Sequence, residues 1–409
     1  MAFVLAHSPR NVSHPDVEFT DPTAAAPAPP KKKPAVDNFS WPRYGFDAER
    51  THVYPGPKAP APPLRIGWRF QDYALLEFPP VIYQNNLYLI DDDGSAKALD
   101  KRTGHKLWET KVGTLAAASP ALGISQGLMY VSVLSTNPHA GQTPGNGRFA
   151  ALSMTTGRIV WSKVIGPGTE SSPIAYGNAV YFGDQGGTVY SLDATTGHVN
   201  WTYHASGAVK GGPALSDSRL YFGDYTGRAY ALGAATGHQI WAVNTNGADF
   251  GFGSGNFYST PAVAFGRVYM GNTDGRVYSF ASETGQLAWA TGTGAYVYAS
   301  AAVQDTPGLG PTVYLGSYDG NIYAFDARTG AIRWRHPAGG KISGSATIVG
   351  DVVYYSDLGT RTTAGLDVRT GHQVFFFPDG AFNPVVADDT GTIYLSGYTM
   401  LYQMLPRHR

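Results

Sequence analysis

The chain has 409 residues with 30 basic and 30 acidic side chains, so its formal net charge is zero, and this excludes a wholesale electrostatic grip on nucleic acid. It has no cysteine, which removes disulfides, thiolate nucleophiles and Cys-ligated zinc or iron–sulfur sites. Apolar residues make up 43%, enough for a large core, while 51 glycines and 28 prolines are more punctuation than a helical protein tolerates.

The chain opens with Ala2–Ala6 (AFVLA), an apolar stretch far shorter than the roughly 20 residues of a membrane span. It reads either as an unstructured start or as the end of a signal or anchor segment. Residues 1–40 read as a Pro/Ala/Lys-rich tether: "DPTAAAPAPPKKKPAV" is the composition of an extended, unstructured spacer. Its lysines, Lys31–Lys33, could touch an acidic membrane or wall surface.

From Trp41 the chain repeats itself. A Thr-Gly pair recurs in one register at Thr103, Thr156, Thr196, Thr236, Thr284, Thr329 and Thr370. Four residues past each glycine stands a large aromatic: Trp108, Trp161, Trp201, Trp241, Trp289, Trp334 and finally Phe375. Between these markers, alternating runs of four to six residues are bounded by Gly, Asp and Asn, which is strand patterning. Each unit therefore holds four short antiparallel strands, a to d. Thr-Gly makes the c–d hairpin, where Gly197, for example, takes a positive φ and Asp193 accepts hydrogen bonds from the turn's own backbone. Burying the tryptophan of strand d is worth about 2–3 kcal/mol.

Seven hairpins give seven complete units. "NPVVADDTGTIYLSGYTMLYQML" near the C-terminus supplies strands a to c of an eighth, and "LRIGWRF" (Leu64–Phe70) is a strand d without a hairpin before it. Joining them closes a ring and hides its open edges. The expected fold is all-β: an eight-bladed β-propeller of four-stranded antiparallel blades over residues 41–405, closed by an N-terminal strand d beside C-terminal strands a–c.

The A-x-D-x-x-T-G-x-x-x-W turns resemble the tryptophan-docking motif of pyrroloquinoline-quinone (PQQ)-type repeat propellers. "WPRYGFDAERT" (Trp41–Thr51) is similar to their lead-in. That superfamily holds quinoprotein alcohol dehydrogenases and BamB-like, non-catalytic scaffolds of the cell envelope. The dehydrogenase branch implies PQQ in the axial channel, under a vicinal disulfide, on a tryptophan and beside a carboxylate-held calcium ion. This chain has no cysteine, seven of its eight tryptophans belong to strand d, and the eighth, Trp41, lies in the lead-in. The expectation is therefore no catalytic residue, no cofactor and no metal, with a PQQ- and Ca²⁺-dependent oxidoreductase as the alternative. The resemblance further implies an extracytoplasmic, cell-envelope location, periplasmic or cell-surface.

Other chemical signals dissolve on inspection. "GISQG" (Gly123–Gly127) fits G-x-S-x-G but falls where other units place an a–b hairpin. His105, His198, His238 and His372 each follow a Thr-Gly turn, on separate blades. Asp91, Asp184, Asp224, Asn272 and Asp357 share one column, and turn capping accounts for all five without calcium.

Departures from the repeat are more informative. The b–c stretch from Tyr130 to Leu152 is eleven residues longer than its counterpart Tyr181–Leu192, and Trp241–Pro261 is eight longer than Trp201–Pro213. Both insertions leave the same face of a propeller, which marks a binding face. The second carries Phe250, Phe252 and Phe257. The column three residues before the strand-a Pro or Ala reads Glu77, Ala117, Glu170, Lys210, Tyr258, Tyr298, Ser343 and Ala381, and is expected near the channel mouth on that face. Glu77, Glu170, Lys210, Phe252, Phe257, Tyr258 and Tyr298 are the candidate binding residues, for a protein, peptide or glycan partner. A water-filled channel in which Lys210 pairs with a glutamate is the plainer reading of the same column.

Overall fold

A computed structural model describes residues 11–22, 39–54, 56, 59–137, 146–245 and 255–407. Eight antiparallel sheets form a propeller ring. Blades 1 to 7 occupy residues 81–111, 121–165, 174–204, 214–244, 262–292, 302–337 and 347–377. Blade 8 joins Val385–Ala387, Ile393–Ser396 and Met400–Pro406 to Leu64–Gln71, with Tyr402 opposite Arg69 and Met404 opposite Ile66. Among the described residues the only helical element is one 3-10 turn, Ile124–Gln126, which is the a–b connection of blade 2 and not a nucleophile elbow.

Each Thr-Gly turn is a joint between blades. The seven glycines have φ between +70° and +75°. On each lies the indole of the preceding blade. A Cβ at Gly104, Gly157, Gly197, Gly237, Gly285, Gly330 or Gly371 would stand 2.5–2.8 Å from the ring of Trp68, Trp108, Trp161, Trp201, Trp241, Trp289 or Trp334. Each indole N–H then donates to a backbone carbonyl beside that turn at 2.9–3.2 Å, as Trp161 does to Ala194 and Trp334 to Val368. Only glycine meets both demands, the left-handed backbone and the flat contact. Within the turn, Asp193 Oδ1 accepts from the Thr195 and Thr196 amides at 3.0 and 2.8 Å. The second acidic column caps b–c turns: Asp184 Oδ1 accepts from the Gly186 and Thr188 amides, and Asn272 Oδ1 from the Asp274 amide.

The lead-in runs around the inner edges of the ring. Ser40–Trp41 pairs with strand a of blade 1, and the carbonyls of Pro42, Ala48, Glu49, Thr51 and His52 accept from strand a of blades 2, 4, 5, 6 and 7. Arg43 donates to Ala175 of blade 3, and the Tyr54 hydroxyl to Asp388 of blade 8 at 2.8 Å. The fully buried Arg50 guanidinium donates to the carbonyls of Tyr44, Ser172, Pro173 and Pro213. One short segment thus ties all eight blades together. Burial, and then the Arg50 charge, push the His52 imidazole down to about 3, so it is neutral at physiological pH.

Residues 11–22 differ from the expected spacer. They are packed along the outer side of blade 5, where Val12–Ser13 adds a fifth strand. The proline-rich run that follows lies outside the described residues.

Candidate functional site

Where strand a begins, a belt of hydrogen bonds runs around the channel from blade 4 through blade 8 to blade 1. The amides of Gly212, Thr260, Ser300 and Ser345 donate in turn to the side chains of Thr260, Ser300, Ser345 and Asn383 on the next blade, at 2.8–3.0 Å. Asn383 Nδ2 continues the belt to the Glu77 carbonyl at 3.0 Å. The belt fixes the height of the residues just before it. They project from the d–a connections into a pit of about 370 Å³ at the channel mouth.

This pit brings together Glu77, Glu170, Lys210, Tyr258, Tyr298 and Ser343, the column read from the repeat. It widens outward past Leu75, Asp92, Leu134 and Ser135. Leu134 and Ser135 begin the long b–c connection of blade 2, so that insertion borders the mouth. Tyr44 of the lead-in also lines the pit, its hydroxyl bonded to Ser345 and Asn383.

The two glutamates have different surroundings. Glu170 is satisfied: Lys210 Nζ lies 2.7 Å from its Oε1, Gln185 Nε2 donates to the same oxygen at 3.2 Å, and the Tyr258 hydroxyl donates to Oε2 at 3.1 Å. The Lys210 ammonium also sits over the Tyr225 ring, 4.8 Å from its centre. Glu77 is held in the wall by its carbonyl, and burial, followed by the charges of Asp92 and Glu170, pushes its carboxyl up to about 8. At neutral pH it is mainly a neutral acid, able to donate as well as accept a hydrogen bond. Burial first, and then the nearby glutamates, raise the Tyr258 phenol well above its ordinary value, so it stays protonated.

Facing Glu77, four rings form an arc. Tyr225–Tyr258, Tyr258–Tyr298 and Tyr298–Tyr318 have centroids 6.2, 5.4 and 4.8 Å apart. Repeat reasoning missed Tyr225 and Tyr318. Both follow directly on the b–c turn column, one residue past Asp224 and Ser317, and reading that next column would have found them. Phe78 and Phe382, also in the lining, follow the rim column in the same way.

Phe257 is a correction. It is fully buried between blades 4 and 5, edge-on to Tyr278 and Phe280 and against Gly223, where a Cβ would meet it at 2.4 Å. An aromatic in a glycine-rich loop fills a gap that a neighbouring blade's glycine leaves, and presents nothing to a partner. Phe252 and Phe250 lie outside the described residues.

The donor set does not fit the implied quinone and calcium. A quinone carrying carboxylates would face two glutamates and one lysine already paired with Glu170. Seven indoles are committed to turns, and the eighth, Trp41, packs edge-on to Phe46 in the core. Among the described residues no three His, Asp or Glu side chains are grouped to hold a metal ion.

The family model for outer membrane protein assembly factor BamB matches residues 65–175, 92–209 and 204–396, which together span most of the ring. The chain belongs to this BamB family. BamB from Moraxella catarrhalis is similar in structure at a TM-score of 0.65 and 17% identity, over 85% of this chain and 98% of that one. The quinohemoprotein alcohol dehydrogenase of Comamonas testosteroni gives 0.70 at 14% identity, over 90% and 81%. A europium-containing methanol dehydrogenase gives 0.70 at 12%, over 89% and 98%. At these identities the structural likenesses establish the propeller fold. No curated protein sequence matches.

Proposed function

We propose that this BamB-family propeller is a non-catalytic binding module of the bacterial cell envelope that presents its pit face to a protein partner and receives a polar segment, peptide or glycan, in the pit. The observation that carries this reading is the balance of the pit. Around its floor the one lysine and Glu170 neutralise each other, Glu77 is held mainly protonated, a tyrosine arc stands opposite, and the remaining carboxylate, Asp92, lies further out at the mouth. Such a lining offers donors, acceptors and ring faces without a strong net field, which suits an uncharged polar ligand. The family's description, an outer membrane assembly factor, supports an envelope location and a protein partner.

The test is a pull-down from envelope extract with the wild-type chain and with Glu77→Ala, Lys210→Ala, Tyr258→Ala and Tyr298→Ala. A partner retained by the wild type and depleted at least tenfold by the substitutions supports the site. Identical partner sets from folded variants would remove it.

A further inference from the structure

The outermost strand d of a blade has an edge whose N–H and C=O groups find no partner within its own sheet. On blade 5 that strand is Leu287–Gly292, "LAWATG", with no charged residue. Residues 11–22 cover it. Val12 pairs with Ala290 and Ser13 with Trp289, antiparallel. The His14 amide donates to the Ala288 carbonyl at 2.7 Å, and the Gly292 amide to Asn11 Oδ1 at 3.2 Å. The covered Trp289 is fully buried, whereas Trp108, Trp161 and Trp201 remain partly exposed.

Past Pro15 the segment leaves the ladder, and side chains take over. Phe19 stacks on Phe265 at 5.8 Å and lies between the guanidinium groups of Arg267 and Arg328, 5.6 and 5.0 Å from its ring centre. Arg267 is fully buried, and its guanidinium donates to the carbonyls of Val17 and Glu18. Glu18 accepts from the Ser282 hydroxyl at 3.2 Å and from the Glu283 amide at 3.4 Å. The Thr20 amide closes the contact on the Phe265 carbonyl at 3.0 Å. A strand pairing that any extended backbone can make is therefore followed by a hydrophobic, acidic, aromatic triplet that is read by side chain.

We propose that the outer edge of blade 5 is a strand-addition site for extended peptides, that residues 11–22 are its resident occupant held in cis, and that in trans it takes a peptide of the same chemistry, a short strand followed by a Val-Glu-Phe-like triplet. Main-chain bonds supply affinity and the Phe265, Arg267 and Ser282 cluster supplies selectivity. The resident segment is joined to the lead-in by residues 23–38, a 16-residue run. A linker of that length holds it at an effective concentration on the order of millimolar, so a free peptide at micromolar concentration binds only when the resident segment has let go.

The test uses the full chain. Glu18→Lys with Phe19→Ala disarms the resident segment, and a fluorescent synthetic peptide of residues 11–22 is titrated by anisotropy. The disarmed chain binds the peptide saturably and at least tenfold more tightly than the wild type does. Adding Arg267→Met abolishes that binding, and a peptide carrying Phe19→Ala does not bind. Absence of binding to a disarmed chain with wild-type circular dichroism, or binding indifferent to Arg267, overturns the proposal. Hydrogen exchange on the wild-type chain gives a second reading that needs no variant. The His14 and Thr20 amides exchange at least 100-fold faster than those of strand c, Arg276–Ala281, because the segment detaches without unfolding the blade. Equal rates would make it an integral strand and overturn the proposal.

Discussion

Replacing Gly197 by alanine isolates the inter-blade joint. Its φ is +75°, and the added Cβ would lie 2.6 Å from Trp161 Cε3 and 2.8 Å from Cδ2. The backbone cost of a left-handed alanine is roughly 1–2 kcal/mol. The steric cost adds about 1–3 kcal/mol, because the indole is pinned through its N–H to the Ala194 carbonyl at 3.2 Å and cannot slide away. The sum is about 2–5 kcal/mol. Gly177, in the a–b turn of the same blade, is the internal control: its φ is +60° and nothing lies within 4 Å of a Cβ there, so only the backbone cost of roughly 1–2 kcal/mol applies. Urea unfolding followed by circular dichroism, with m-values unchanged, gives both losses. Trp161→Leu should remove the excess of Gly197→Ala in a double-mutant cycle. Equal losses for the two alanine variants, or an excess that survives Trp161→Leu, would refute the docking account and leave turn conformation alone as the reason for the repeat.

The Glu77 carboxyl, raised from 4.5 to about 8 in the folded chain, binds more protons folded than unfolded between those values, so its contribution to stability falls as pH rises through that window and levels off above about 8. Thermal melts from pH 5 to 8 should therefore show a shallower decline for Glu77→Gln than for the wild type. The buried Lys97 ammonium lies 2.9 and 2.7 Å from the two oxygens of Asp72 and also pairs with Asp91, in the strand-c slot where Tyr190 and Tyr230 donate to Asp184 and Asp224. Lys97→Met leaves two buried carboxylates unpaired and should cost about 3–5 kcal/mol at pH 7, measured by urea midpoint, with a smaller loss at pH 5.

The ring was legible because its joints are local chemistry repeated at a fixed period. Asp193, Thr196 and Gly197 form their turn from contacts within a few residues, and the column they set carries over from blade to blade. The rim followed from the same logic: a fixed offset of three residues before the Pro or Ala that opens strand a places Glu77, Glu170, Lys210, Tyr258 and Tyr298 at one height. The course of the lead-in left no such trace, since it is held chiefly through the carbonyls of residues such as Ala48, Thr51 and His52, which any side chain permits. Phe257 misled although the repeat holds a place for it. It stands one residue before the rim column, where Val209, Val297 and Ile342 cover Gly183, Gly271 and Gly316 as Phe257 covers Gly223, and the eight-residue insertion hid that register. Residues 11–22 hide a docking triplet in a stretch whose overall composition reads as spacer.

One joint breaks the pattern, and its position matters for the pit. Strand d of blade 7 has Phe375 where the other seven have tryptophan. The next blade is the composite one: its strands c and d come from opposite ends of the chain, so it has no c–d turn, no docking glycine and no turn carbonyl for an indole N–H. Phenylalanine is the ring that leaves no donor unsatisfied there. It packs edge-on to Tyr354 at 5.5 Å and parallel to Phe377 at 6.5 Å, and Phe377 meets Tyr402 of blade 8 at 4.8 Å. What the seam loses in directional bonding, the lead-in partly restores. Val53–Tyr54 pairs with strand a of blade 7, and the Tyr54 hydroxyl reaches across to Asp388 of blade 8. The pit inherits this asymmetry. Its tyrosine arc stands on blades joined by docked tryptophans, while Phe382 lies on the seam and Asn383 carries the hydrogen-bond belt from blade 7 across it to Glu77. Under the proposed function, adjustment to a bound segment is therefore expected on the Glu77 side of the mouth, with the tyrosine side as the fixed template.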